Sequence, residues 1–291
     1  MRFGHLAQRL FNVPLMIHPR KAEVVMAALA DRLGIASIAR LDSHGLQPRA
    51  MEDDDVVFSS PGRTPVKGYE VVEGVAHIEV SGTLVQKLGT LRPWSGMTGY
   101  DGIRQNVLTA IADREVRALM LDIDSPGGEV AGCFDLVDTI YRARGPKPIW
   151  GTLDESAYSA GYAIASACDY VTVPRTGGTG SIGVIAMHID WSAAIANMGA
   201  KVTIITHGAR KADGHPEIPL SDEALAAFQS DINTMGDLFV KTVARNRNIP
   251  EQKVRDQQAA TYLGGDGVSQ GLADAVMAPD ASFLALLDQL A

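Results

Sequence analysis

RALMLDIDSPGGEVAGCFDLVDTIYRARG, residues 117–145, decides how the rest of the chain is read. RALMLDID is a short apolar run of strand length. VAGCFDLVDTIYRARG carries apolar residues at helical spacing and stops at a glycine. Between them stands Ser125-Pro126-Gly127-Gly128, read as a tight turn. Adjacent glycines let a backbone bend sharply and offer N–H groups that no side chain shields. A helix N-terminus beside them favours negative charge. The pattern fits a plain strand-to-helix turn and an anion-stabilising site equally well.

The same alternation extends in both directions. VAHIEVSGTLV reads as a strand and DGIRQNVLTAIAD as a helix. Downstream, PIWGTLD is a strand, SAGYAIASAC a helix and VTVP a short strand. A Gly-rich turn, RTGGTGSIG, precedes the strand-like GVIAMHID, and KVTIITHG reads as a further strand. Strands alternating with helices predict an α/β fold of βαβ units with right-handed crossovers, its main domain starting near Val71. Ser221 to Asn248 reads as one long helix. Leu225, Phe228, Ile232, Met235 and Phe239 form an apolar stripe along it, either a core face or, if exposed, a subunit interface. The expected organisation is an N-terminal helical segment over 1–40, a linker over 41–70 and a catalytic domain over 71–291. That domain includes C-terminal helices at 221–248 and 267–290. The N-terminal segment, a small element expected to dock separately, contains an amphipathic helix, RKAEVVMAALADRLG (20–34), and the linker contains the acidic run in MEDDDVVFSSPGRTP.

Composition narrows the function classes. The 291 residues suit one large domain, or a domain with an appendage, and 46% hydrophobic residues supply a full core. A formal net charge of −8 argues against a dedicated nucleic-acid binder. Cys133 and Cys168 lie in apolar surroundings without CxxC spacing, which predicts two buried free thiols and neither a zinc site nor a disulfide framework. The N-terminal MRFGHLAQRLFNVPLMIHPRK is interrupted by His5, Arg9 and His18 and does not read as a secretory signal. No apolar run reaches the roughly 18 residues of a membrane span.

Ser159, in ESAYSAGYAIASACDY (155–170), also falls after a strand and at a helix start. A capping serine is the ordinary reading of that position. A nucleophile is the other, because Ala160 and Gly161 are small enough for a substrate backbone to approach. The Ala160 N–H beside such a nucleophile, with the Gly128 N–H from the other turn, would make the two donors an acyl-transfer oxyanion needs. The nucleophile needs a base. Of the seven histidines, His188, His207 and His215 lie nearest the right region, but none has an evident aspartate partner. A lysine serves when desolvation keeps it neutral, and Lys211, in HGARKADGHPEIP, is the candidate; otherwise it is a solvated loop residue. The RTGGTGSIG turn is not a phosphate loop, since no Gly-Lys-Ser/Thr follows. It is either inert or brings the Ser181 hydroxyl to the lysine.

Taken in order, Ser125–Gly128, Ser159–Tyr162, Thr179–Val184 and Gly208–Asp213 resemble the signal peptide peptidase A family of serine proteases, and Ser159 and Lys211 stand at that family's 52-residue separation. FNVPLMIHPRKAEVVMAALADRLGI, SGTLVQKLGTLRPWSGMTGYDGI and HGARKADGHPE sharpen the resemblance toward the lambda-type phage capsid-maturation proteases. It implies a Clp-protease/crotonase-like α/β fold with a small N-terminal helical arm, Ser159 as nucleophile and Lys211 as general base. Gly128 and Ala160 become the oxyanion hole, with Ser181, Gly127 and Gly161 in support. It further implies a homo-oligomer, limited proteolysis of a scaffold, capsid or portal-associated chain (and of itself) within the procapsid in the host cytoplasm, and no metal, cofactor, nucleic acid or membrane span. A neutral-amine base predicts activity that falls with acidification. Lambda-type proteins often continue into a scaffold region beyond the protease domain; this chain stops at Ala291. Two rival readings are a peptide-degrading cytoplasmic relative and a non-enzymatic capsid component of the same fold. A crotonase-type acyl-CoA enzyme fits less well, because it does not use a nucleophilic serine–lysine pair.

Overall fold

The computed structural model describes residues 13–19, 21 and 67–291. The strands in chain order are β1 (Leu15–Ile17), β2 (Glu70–Val72), β3 (Val75–Val85), β4 (Met97–Gly99), β5 (Ala118–Glu129), β6 (Ile149–Ala157), β7 (Tyr170–Val173), β8 (Gly178–Gly180), β9 (Thr261–Leu263) and β10 (Ala275–Val276). The helices are α1 (Tyr100–Ala112), α2 (Cys133–Ala143), α3 (Ala160–Ser166), α4 (Ser192–Asn197), α5 (Asp222–Arg247), α6 (Glu251–Asp256), α7 (Gly264–Ser269) and α8 (Pro279–Leu290).

The sheet runs β10-β7-β6-β5-β3-β2, and the pairings from β10 to β3 are all parallel. A parallel sheet must be covered on both faces, and β5 shows how. Leu119, Leu121 and Ile123 share the main core with Val107 of α1, Ile140 of α2 and Ile164 of α3. Ala118 and Met120 point the other way, into a smaller cluster with Trp150 and with Leu286 of α8. The period of two thus divides one strand between two cores.

The expected α/β architecture is present, and Cys133 and Cys168 are buried free thiols. Several expectations need correction. Ser125–Gly128 is not a tight turn: β5 stays extended through it to Glu129, because β1 and β3 pair with its glycines, and α2 starts only at Cys133. GVIAMHID forms a single bridge, Ile185 to Leu15 of β1, rather than a strand, and KVTIITHG pairs with no strand among the described residues. The helix expected over 267–290 is α7 and α8 with β10 between them. The α5 stripe, left open between a core face and an interface, divides: Phe239 at its far end is fully buried, whereas Leu225 is 54% exposed.

Most of the N-terminal segment and linker lies outside the described residues, including the helix expected from 22 onward. Its described part does not dock apart from the main domain, because Leu15–Ile17 joins the main sheet as β1. Ser221 caps α5 by accepting from the Ala224 N–H at 3.1 Å, and Asp222 and Glu223 complement the positive end of its dipole. Among the described residues no helix is long and apolar enough to cross a membrane.

Candidate active site

Three segments meet where β5 and β6 diverge. β6 pairs with β5 as far as Ala157, opposite Ser125, and the chain then turns into α3. The Tyr158 N–H donates to Ser125 O and the Ser159 N–H to Gly180 O, each at 2.9 Å. These two bonds tie the SPGG strand and the end of β8 to the two residues between β6 and α3; the expected Gly-rich turn is thus partly a strand, because Gly178–Gly180 pairs with β9. All of α3 is buried. Its small residues allow that placement: a Cβ on Gly161 would come within 3.0 Å of Ser125 Cβ and Ser125 O.

Ser159 has φ 55° and ψ −117°, a backbone state that a non-glycine residue occupies only at a cost. Its side chain does not cap α3. The residue is 1% exposed, and Oγ is buried without a hydrogen-bond partner among the described residues. A buried hydroxyl normally finds a partner. A strained backbone holding an unpartnered hydroxyl at a helix start is poor capping chemistry and suits a nucleophile awaiting substrate.

The neighbouring backbone is built for close approach. Gly127 has φ 104°, and a Cβ there would lie 2.1 Å from Met16 O and 2.9 Å from Ser159 Cβ. The strand there is held by Ser125, whose Oγ donates to Gly82 O at 2.7 Å and accepts from the Gly127 N–H at 3.1 Å. Ala160 begins α3, so its N–H has no acceptor within the helix and lies beside Ser159. Ser181 is buried, with φ 56°, and its N–H donates to Ala260 O at 2.9 Å.

Ser159, Ala160, Gly161, Gly127, Gly128 and Ser181 therefore converge. Lys211 is exposed and makes no hydrogen bond to Ser159 Oγ, which has no partner among the described residues. Lys211 sits in a stretch of turns where Arg210 pairs with Asp213 at 3.0 Å. The irregular segment before it carries Met198 at 75% and Ile205 at 94% exposure.

Sequence reasoning missed a further part of the site. Pro14 to His18 lie against the end of β5, and Leu15 exchanges backbone hydrogen bonds with Ile185 at 2.8 and 2.9 Å. A cavity of about 420 Å³ continues from Pro14 between residues 184–188 and the first half of α5. The signal was there in LMI, a short apolar run between two prolines.

Residues 142–289 match the family described as "Peptidase family S49". The chain is 39% identical over 277 residues to the head-tail preconnector protein GP5 of Enterobacteria phage P21, covering 93% of this chain and 54% of that protein. It is 38% identical, also over 277 residues, to capsid assembly protease C of Escherichia phage lambda, covering 93% of this chain and 62% of the relative. The chain thus spans little more than half the length of these relatives. A more distant similarity, 28% identity over 178 residues, links it to a putative signal peptide peptidase SppA of Enterococcus faecium, covering 59% of this chain and 52% of that one. Among solved structures, a ClpP1 mutant from Listeria monocytogenes matches with a TM-score of 0.42 and 11% identity over 69% of this chain and 90% of its own.

Proposed function

The chain belongs to peptidase family S49, and from that premise we propose that it is a serine endopeptidase of phage head maturation. Its nucleophile is Ser159 and its general base Lys211. The observation that carries this reading is Ser159 itself: a buried, unpartnered hydroxyl on a strained backbone, beside the glycine strand of β5 and at the head of α3.

In the proposed reaction Ser159 Oγ attacks the scissile carbonyl carbon and its proton passes to neutral Lys211 Nζ. The oxyanion is held between the N–H groups of Gly128 and Ala160; losing one such donor typically costs about 10²–10³ in rate. The C–N bond breaks as the lysine returns the proton to the leaving amine. Water then releases the acyl-enzyme by the same route. Ser181, tied to the site through Gly180, orients the lysine. Gly127 and Gly161 let the backbones close around the reacting centre.

The dyad requires Lys211 to reach a serine. Its exposed position, on a segment that also exposes Met198 and Ile205, supports delivery to the Ser159 of a second copy in a homo-oligomer. The substrate proposed is a scaffold, capsid or portal-associated chain inside the assembling procapsid in the host cytoplasm. The names of the two phage relatives support that assignment.

The test is co-expression with the neighbouring head proteins, read by intact mass. Ser159→Ala and Lys211→Ala are each expected to lower cleavage at least about a thousandfold. Normal cleavage by Ser159→Ala excludes the serine mechanism, and normal cleavage by Lys211→Ala points to another base.

A further inference from the structure

Where β6 leaves β5 at Ala157, the edge of β5 beyond Ser125 would be open, and β1 fills it. The ladder is antiparallel: the Val130 N–H donates to Pro14 O at 3.4 Å and the His18 N–H to Pro126 O at 2.7 Å. Hydrogen-bonded pairs recur at every second residue of such a ladder. Met16 and Gly128, in register midway between those two bonds, are therefore a bonded pair, and the Gly128 N–H faces the Met16 carbonyl. The contacts of the point where a Gly127 Cβ would stand put Met16 O within about 5 Å of Ser159 Cβ. On its other edge Leu15 is bonded to Ile185. Leu15, Met16 and Ile17 are all buried, and the His18 ring stacks 4.9 Å from that of Tyr158, the residue before the nucleophile.

An extended segment is thus clamped on both edges, with one carbonyl against a proposed oxyanion donor and close to the serine. We infer that Pro14–His18 is a resident, substrate-like strand that occupies the peptide groove of its own chain and closes it to other chains until it is displaced. The inference rests on the reading of Ser159 as the nucleophile. It also defines how a substrate binds: as an added antiparallel strand between Gly127–Val130 and Ile185, with the residue ahead of the cut in the place of Met16 and its N-terminal side running toward the cavity beyond Pro14. With Lys211 exposed and Ser159 Oγ unpartnered, the strand is held without a base to begin acylation.

The test uses the full chain carrying Ser159→Ala, so that nothing is cut, and a fluorescent peptide of residues 13–19, Val-Pro-Leu-Met-Ile-His-Pro. Adding Met16→Asp places a charge in a fully buried position and evicts the strand. The peptide is expected to bind that double variant at least about tenfold more tightly than Ser159→Ala alone, the factor for a groove otherwise open no more than about a tenth of the time. Equal affinity overturns the proposal. Hydrogen exchange on the chain without Met16→Asp covers the case in which that substitution unfolds it. The Leu15 and His18 amides are expected to exchange slowly, and at least about tenfold faster once saturating peptide competes for the groove. Exchange at the rate of a free peptide, or slow exchange that peptide leaves unchanged, overturns it. Both readouts are independent of catalysis, so full scaffold cleavage by Ser159→Ala would defeat the assignment of Ser159 as nucleophile and leave the groove result standing.

Discussion

Ser159 combines two unfavourable features that a purely structural serine would lose: a left-handed backbone and a sealed hydroxyl without a partner. Both costs end with Ser159→Gly, since glycine adopts positive φ freely and carries no hydroxyl. That variant is expected to be inactive yet more stable by ~1 kcal/mol, after the extra chain entropy of glycine in the unfolded state is counted. Thermal or denaturant unfolding measures it, and a destabilised Ser159→Gly would show that the hydroxyl contributes to the fold. At this scale the sequence was informative about residue type and poor about conformation. Ala160 and Gly161 marked a place of close approach, but local sequence left Ser159 balanced between cap and nucleophile. The balance turns on its dihedral angles and on the absence of a partner for Oγ, and its backbone is tied to Ser125 and Gly180, far away in the chain.

Among the elements, β5 carries a charge problem as well as the site. Asp122 faces Glu79 across the β3 ladder, with Asp154 of β6 and Asp124 nearby. Burial first, then these carboxylates, push its pKa up from 3.8 to about 6. Between about pH 4 and 6 the folded chain therefore holds a proton that the unfolded chain has released. The stability contribution of Asp122 falls as pH rises through that window and stays unfavourable above it. Asp122→Asn is expected to raise the melting temperature at about pH 7.5, with the gain vanishing near pH 4, as paired thermal melts would record; an equal gain at both pH values would mean that ionisation is not the cause. The strands whose patterns matched observation, β3 above all, have partners along their whole length. KVTIITHG has the same alternation but no strand partner among the described residues, and it stays irregular with Ile205 exposed. Alternation reports that a segment is able to pair, whereas pairing depends on where the rest of the chain lies.

For the whole molecule, an exposed Lys211 that makes no bond to the Ser159 of its own chain leads to a mixing experiment. Ser159→Ala and Lys211→Ala chains are each expected to be inactive, but co-assembled they regain activity if the lysine of one copy serves the serine of another. About half of the sites joining unlike chains would then be intact, as the statistics of random pairing require. Scaffold cleavage by the mixture measures it, and no recovery from a mixture shown to contain both chains in one particle would assign the lysine to its own chain. The sequence by itself determined the α/β class, the order of β3, α1, β5, α2, β6 and α3, the long helix α5, and the short list of residues able to do acyl-transfer chemistry. It could do so because burial periodicity and the need for small residues near a reacting backbone are local properties. Only the tertiary structure decided that Ser125–Gly128 is a strand edge rather than a turn, that Ser159 is strained and unpartnered, that Lys211 is exposed and not bonded to it, and that Leu15–Ile17 lies between β5 and Ile185. Each of these depends on hydrogen bonds or contacts between segments tens to more than a hundred residues apart, and such pairings leave no periodicity in the chain that makes them.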